Sequence, residues 1–74
     1  MRLTELHTDL AALRDDLASE LLAISTLEGQ TLRLTDEETR EELRRLADEK
    51  KAHAAALVRL IARLDPKFGE RLTG

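Results

Sequence analysis

The sequence predicts an all-α fold, an antiparallel hairpin of two long helices followed by a short C-terminal helix. Three observations support this prediction. Leu and Ala dominate a composition that is 42% hydrophobic and 1% aromatic, which suits helices and suits sheets poorly. Leucines recur at heptad spacing over most of the chain. A single polar break near residue 36 separates two halves of similar length, as a helical hairpin requires.

The first helix is predicted over residues 3–34, where the apolar heptad is longest. Its a positions are Leu3, Leu10, Leu17, Ile24 and Thr31, and its d positions are Leu6, Leu13, Glu20, Leu27 and Leu34. Gly29 is the only helix breaker in this stretch. At a rise of 1.5 Å per residue the helix is about 48 Å long.

The second helix is predicted over residues 36–64. Thr35, followed by Glu38 three residues later, has the spacing of a capping box, which marks a helix start. The seam of this helix is predicted to consist of Leu43, Leu46, Lys50, His53, Leu57, Leu60 and Leu64, widened by Ala47, Ala54 and Ile61. Both long helices therefore have an apolar stripe with polar interruptions.

A short third helix is predicted over residues 66–72. The second helix ends before Pro66, because proline disfavours a helical conformation in the residue that precedes it. Asp65 can cap the new helix with Pro66 at its first position. Phe68 and Leu72 then lie one turn apart and form a small apolar face.

At 74 residues the chain is expected to form a single domain over residues 1–74. A two-helix hairpin cannot cover two apolar seams of this length by itself, and small chains need a staple or a partner. The sequence has no cysteine, so disulfides and thiolate metal sites are excluded. We therefore expect a homodimer or larger homo-oligomer, in which two hairpins complete a four-helix bundle.

Charge and hydropathy exclude several classes of function. The net charge is −3 with acids and bases interspersed, so no basic face is available for nucleic acid. No apolar run approaches the roughly 20 residues of a membrane span, and the charged N-terminus is unlike a signal peptide. We expect a cytoplasmic protein without a membrane partner. Glycine-rich phosphate loops and hydrolase motifs are absent from the sequence.

Three polar residues interrupt the predicted apolar stripes: Glu20, Lys50 and His53. Burying a charged group is costly unless it is paired or ligated, so these residues call for partners. If the chain folds back near residue 36, Glu20 becomes level with about residue 52, beside the other two. Helical periodicity and the position of the turn thus independently predict one polar layer, the Glu20/Lys50/His53 layer.

Two chemical interpretations of this layer remain open. Glu20 and His53 have the side chains of a metal site inside a helical bundle, and Glu49, four residues before His53, is a further candidate ligand toward the rim. Lys50 repels a metal ion unless burial deprotonates it. In the metal-free alternative, Lys50 is the cation that pairs with Glu20, and His53 completes the hydrogen bonding. Such a layer can fix register and oligomeric state.

The chain also resembles a known family, over roughly residues 17–72. The stretches that support the resemblance are Glu20-Leu21-Leu22-Ala23-Ile24, Asp48-Glu49-Lys50-Lys51-Ala52-His53-Ala54-Ala55 and Leu60-Ile61-Ala62-Arg63-Leu64-Asp65-Pro66. They are similar to the short ferritin-like proteins, especially encapsulated ferritins and rubrerythrin-type half-ferritins. The resemblance implies a helical hairpin that dimerises into a ferritin-like four-helix bundle.

The resemblance further implies a di-iron ferroxidase site at the dimer interface, a role in iron oxidation and storage, and packaging in an encapsulin-type shell. On the matching positions, Glu20 is the ligand from the first helix and His53 the histidine ligand. Lys50 stands where the second glutamate ligand is expected. We therefore expect an altered metal site, with iron bound weakly or not at all and ferroxidase activity reduced.

Overall fold

A computed structural model of the chain describes residues 2–74 and shows that this part is all-helical, with 92% of it in helices and no strand. Helix α1 spans Leu3–Arg33, α2 spans Glu37–Leu64 and α3 spans Pro66–Thr73. The predicted all-α class is confirmed. Among residues 2–74, no helix is both long enough and apolar enough to cross a membrane.

Helices α1 and α2 pack side by side in opposite directions, and α3 packs on α2. Arg14 bridges to Asp65 at 3.2 Å near one end of the pair, and Glu28 bridges to Lys51 at 3.5 Å toward the other. The overall extents are 51 × 26 × 14 Å. Since a helix with its side chains is about 10–12 Å wide, the hairpin is a layer one helix thick.

The start of α2 differs from its prediction by one residue. Asp36 is the N-cap, and its carboxylate accepts hydrogen bonds from the backbone N–H of Thr39 at 3.0 Å and from the Thr39 hydroxyl at 2.5 Å. The predicted capping box of Thr35 and Glu38 is therefore wrong. Aspartate is a better N-cap than threonine, and Asp36 directly follows Thr35, so α2 begins one residue later.

The start of α3 agrees with its prediction. The Asp65 carboxylate accepts a hydrogen bond from the backbone N–H of Phe68 at 3.3 Å, and Pro66 is the first helical residue. The same carboxylate receives the Arg14 guanidinium. Asp65 thus ties the end of α2 both to α3 and to α1.

The residues of α2 that lie deepest in the hairpin are Ala47, Ala54 and Ile61, spaced by seven. The sequence predicts them only as the edge of the seam, with Lys50 and His53 at its centre. One row of the predicted seam, Leu43, Lys50, Leu57 and Leu64, stays partly buried, while the other row moves on by one residue. The middle of the seam is therefore turned by about 50° around α2 relative to its prediction. Alanines at the contact let two helices approach closely, which explains why this stripe faces α1.

On α1 the buried residues are Leu10 and Thr31, both predicted a positions. The Thr31 hydroxyl donates to the carbonyl oxygen of Leu27 at 2.8 Å, so its burial leaves no donor unpaired. The hairpin, however, leaves leucines uncovered on both long helices. Leu22 on α1 is 69% exposed, and Leu60 on α2, a predicted seam residue, is 38% exposed.

We predict that Asp36→Ala lowers the midpoint of thermal unfolding by several degrees, whereas Thr35→Ala changes it little, because only Asp36 caps α2. The hydrogen bonds from Thr39 lower the pKa of Asp36. Stability from this cap is therefore complete above the ordinary aspartate pKa and is lost as pH falls through the lowered value. Thermal melts of both variants across acidic pH check this. Equal losses for the two variants would contradict the assignment of the cap.

Candidate polar site on one flank of the hairpin

The centre of the predicted layer is Glu20, on the flank of α1 that faces α2. Its side chain is 19% exposed, and its Oε1 accepts a hydrogen bond from Lys50 Nζ at 3.3 Å. The two residues lie on different helices, 30 positions apart in the chain. The hairpin therefore places Glu20 and Lys50 at one level, as the sequence predicts.

The second carboxylate oxygen of Glu20 has no such partner. Glu20 Oε2 is enclosed by the protein and accepts no hydrogen bond. The Nδ1 atom of His53 lies 3.9 Å from this oxygen, too far for a hydrogen bond. A buried oxygen without a partner costs free energy, so the layer is incomplete within one chain.

The layer opens to solvent on one side, which the sequence does not predict. Lys50 is 39% exposed and His53 is 65% exposed, so His53 is not core-facing in the single chain. This is a consequence of the rotated seam, which moves His53 to the flank of the helix contact and leaves Lys50 at its edge. Only Glu20 has the degree of burial that the heptad indicates.

Two shallow grooves flank the Glu20–Lys50 bridge. One, of about 420 Å³, is lined by Asp16, Ser19, Glu20, His53, Ala56 and Leu57. The other, of about 450 Å³, is lined by Ser19, Leu22, Ala23, Thr26, Leu27 and Lys50. Together with the bridge they form one mixed apolar and polar surface, which we call the layer face.

The third candidate ligand, Glu49, is paired elsewhere. Its carboxylate bonds to Arg45, one turn earlier on α2, and both side chains are exposed. Arg45 also bonds to Glu42, which lowers the pKa of Glu42 through that hydrogen bond and the positive charge. Glu49 is thus part of a surface network on its own helix, as its predicted place at the rim indicates.

One chain alone offers a metal only part of a site. Within residues 2–74, no three His, Asp or Glu side chains are grouped closely enough to hold an ion. Glu20 Oε2 and the His53 imidazole are two donors of suitable type, whereas protein-bound metals take four or more ligands. A two-fold partner would double the set to four donors and would also add a second Lys50.

The opposite flank of the hairpin has a groove that the sequence does not reveal. It is lined by residues from both long helices: Glu28, Thr31, Leu32, Arg40, Arg44, Ala47, Asp48 and Lys51. Only the spacing of Arg40, Arg44, Ala47 and Lys51 along α2 could have indicated it. Ala47 lines the groove, so the position of the groove depends on which face of α2 packs against α1. The heptad alone does not determine that face.

Comparison with known proteins identifies no relative. No protein-family model, curated protein or solved structure matches the chain. The resemblance to short ferritin-like proteins therefore rests on the three sequence stretches that support it. The chemistry of the layer is accordingly inferred from the geometry of Glu20, Lys50 and His53.

We predict a coupling free energy of about 0.5–1 kcal/mol between Glu20 and Lys50, measured by a double-mutant cycle with Glu20→Gln and Lys50→Met under chemical denaturation. The partly enclosed carboxylate strengthens the pair relative to a surface bridge. The matched control is Glu28–Lys51, another inter-helix Glu–Lys pair at 3.5 Å with both side chains more than half exposed. The coupling free energy of this control pair should be close to zero. Equal coupling in the two pairs would contradict the idea that burial of Glu20 strengthens its ion pair.

Proposed function

We propose that this chain assembles through its layer face into a ferritin-like four-helix bundle and binds a divalent metal, with iron the first candidate, through Glu20 and His53 of two copies. The observation that supports this is the enclosed Glu20 Oε2, which has no hydrogen-bond partner and lies beside an exposed imidazole. A carboxylate oxygen and an imidazole nitrogen are suitable ligands for iron and zinc.

Self-association is supported by the apolar surface beside the layer. Leu22 and Leu60 are exposed, and only five of residues 2–74 are buried. Small chains without disulfides commonly gain stability by burying such surface against another copy. A two-fold axis through the layer face would cover these leucines and bring two copies of Glu20 and His53 together.

Lys50 determines how well such a site works. Its ammonium group already binds Glu20 Oε1, so a metal ion must compete with an intact ion pair. Two Lys50 side chains in a dimer also place two positive charges near the ion, which lowers its affinity. Iron bound there would supply one-electron oxidation chemistry. The two lysine charges, and the lysine in place of a glutamate ligand, argue for weak ferroxidase activity at most.

The alternative proposal is a metal-free structural module. It is favoured by the same bridge, because Lys50 Nζ at 3.3 Å from Glu20 fills the electrostatic role of a cation without any ion. In this case the layer serves to fix the pairing of helices between copies, at some cost in stability relative to leucine. Packaging in an encapsulin-type shell stays a prediction of the family resemblance.

The metal proposal is tested by titrating the purified protein with zinc, and anaerobically with iron(II), using calorimetry and elemental analysis. We predict that Lys50→Glu raises the affinity at least about tenfold, because it exchanges a repelling charge for a ligand. The matched control is Arg59→Glu, which makes the same change of charge at an exposed position of α2 away from the layer and should leave the affinity unchanged. Absence of binding in both the native chain and Lys50→Glu would refute the proposal.

The metal-free alternative makes a different prediction. Replacing Glu20, Lys50 and His53 together with leucine should keep the protein folded and raise its melting temperature, since apolar packing replaces a costly polar layer. The variant should also lack a single defined stoichiometry, since the layer that fixes pairing is gone. Circular dichroism and light scattering check both properties. A collapsed fold would contradict the alternative, and a loss of defined stoichiometry would support the idea that the layer determines pairing.

A further inference from the structure

The groove on the opposite flank has opposite charges at its two ends. We call it the turn groove, since it lies near the link between α1 and α2. Its volume is about 460 Å³. Arg40 and Arg44 line the end nearer the link, while Glu28, Asp48 and Lys51 line the other. The floor between them includes Thr31 and Ala47, which are both buried.

At the first end two guanidinium groups converge on one carboxylate. Arg40 Nη1 is 3.4 Å from Glu37 Oε2, and Arg44 Nη1 is 3.4 Å from Glu37 Oε1. Both contacts are long for charge-assisted hydrogen bonds, which are usually about 2.7–2.9 Å. Two positive charges face one negative charge here, and Arg40 Nε is enclosed without a hydrogen-bond partner. This end can accept a further carboxylate, or exchange Glu37 for a better-placed one.

At the other end the balance of charge is reversed. Lys51 Nζ lies 3.5 Å from Glu28 Oε2 and 3.9 Å from Asp48 Oδ1. Two carboxylates thus share one ammonium group, and Asp48 is largely exposed at 78% of its side-chain surface. An additional ammonium group would be attracted to this end. At one end, therefore, the arginines pair with the carboxylate of Glu37. At the other end, the carboxylates pair with the ammonium group of Lys51.

The middle of the turn groove is apolar. Leu32 forms one wall and is 85% exposed, the largest exposure recorded for a leucine in residues 2–74. The Ala47 methyl group contributes to the floor. Arg44 and Asp48 are one helical turn apart, or about 6 Å along the axis. This spacing is close to the length of a short methylene chain.

We infer that the turn groove binds a short linear zwitterion, a molecule with a carboxylate and an ammonium group joined by a few methylenes. The carboxylate lies between Arg40 and Arg44, the methylenes pass over Leu32, and the ammonium group reaches Asp48. Helical spacing puts the turn groove and the layer face on opposite flanks, and the two share no lining residue. This inference is thus independent of the proposed metal site.

The test is a titration of the ¹⁵N-labelled full chain with 6-aminohexanoate, followed by amide chemical shifts. We expect saturable shifts at residues that line the turn groove, with a dissociation constant on the order of millimolar for so small a ligand. Hexanoate and hexylamine, which each keep one charge, should bind about three- to tenfold more weakly, and uncharged hexanamide should give no saturable shift.

Variants of this chain distinguish the two ends. Arg44→Gln and Asp48→Asn should each weaken 6-aminohexanoate about three- to tenfold, because each removes a charge that the ligand pairs with. Glu37→Gln should strengthen it, because the variant removes the internal carboxylate that competes for both arginines. The matched control is Arg45→Gln, a neighbouring exposed arginine outside the groove, which should have no effect.

Several outcomes would overturn the inference. These are the absence of saturable shifts up to about 50 mM, well above the expected dissociation constant, equal binding of hexanamide, or an equal effect of Arg44→Gln and Arg45→Gln. Weaker binding to Glu37→Gln would also overturn it, since Glu37 would then be a ligand-binding group and not a competitor. Circular dichroism of each variant confirms that a lost signal is not lost structure.

Discussion

The close contact of α1 with the Ala47, Ala54 and Ile61 stripe of α2 is the constraint on which the rest of the structure depends. The two methyl side chains let the helices approach closely, and Ile61 fills the end of the contact. Once this stripe faces α1, helical geometry determines the place of every other residue of α2. Lys50 and His53 then turn to one flank, and Arg44 and Lys51 turn to the other.

Much of this fold follows from the sequence, because its main signals are local. The three helices, the turn near residue 36 and the cap at Asp65 depend on propensity, capping and proline chemistry within a few residues. The level of Glu20 beside Lys50 also follows from the position of the turn. The choice of Asp36 over Thr35 as N-cap does not follow from the local pattern, because Thr35 has a glutamate three residues later, as a capping box requires.

The rotation of the seam could not be predicted, for a physical reason. A heptad shows which residues of α2 are apolar, and that stripe is wide enough for more than one neighbour. Which part meets α1 depends on side-chain size, since Ala54 allows a closer contact than a leucine does. The exposure of His53 and the turn groove both result from this choice. Solvent still screens the charge of Lys50, so the partly buried layer costs less free energy than a fully buried one would.

The hairpin is one helix thick, with a smallest extent of 14 Å, so its two flanks are separate surfaces. Sites without shared partners contribute almost additively to stability, whereas contacting residues do not. The layer face and the turn groove share no residue and meet only through the backbone and the Ala47–Ile61 stripe. Either flank can therefore accumulate substitutions with little effect on the other, so that two surfaces of one small chain can evolve separately.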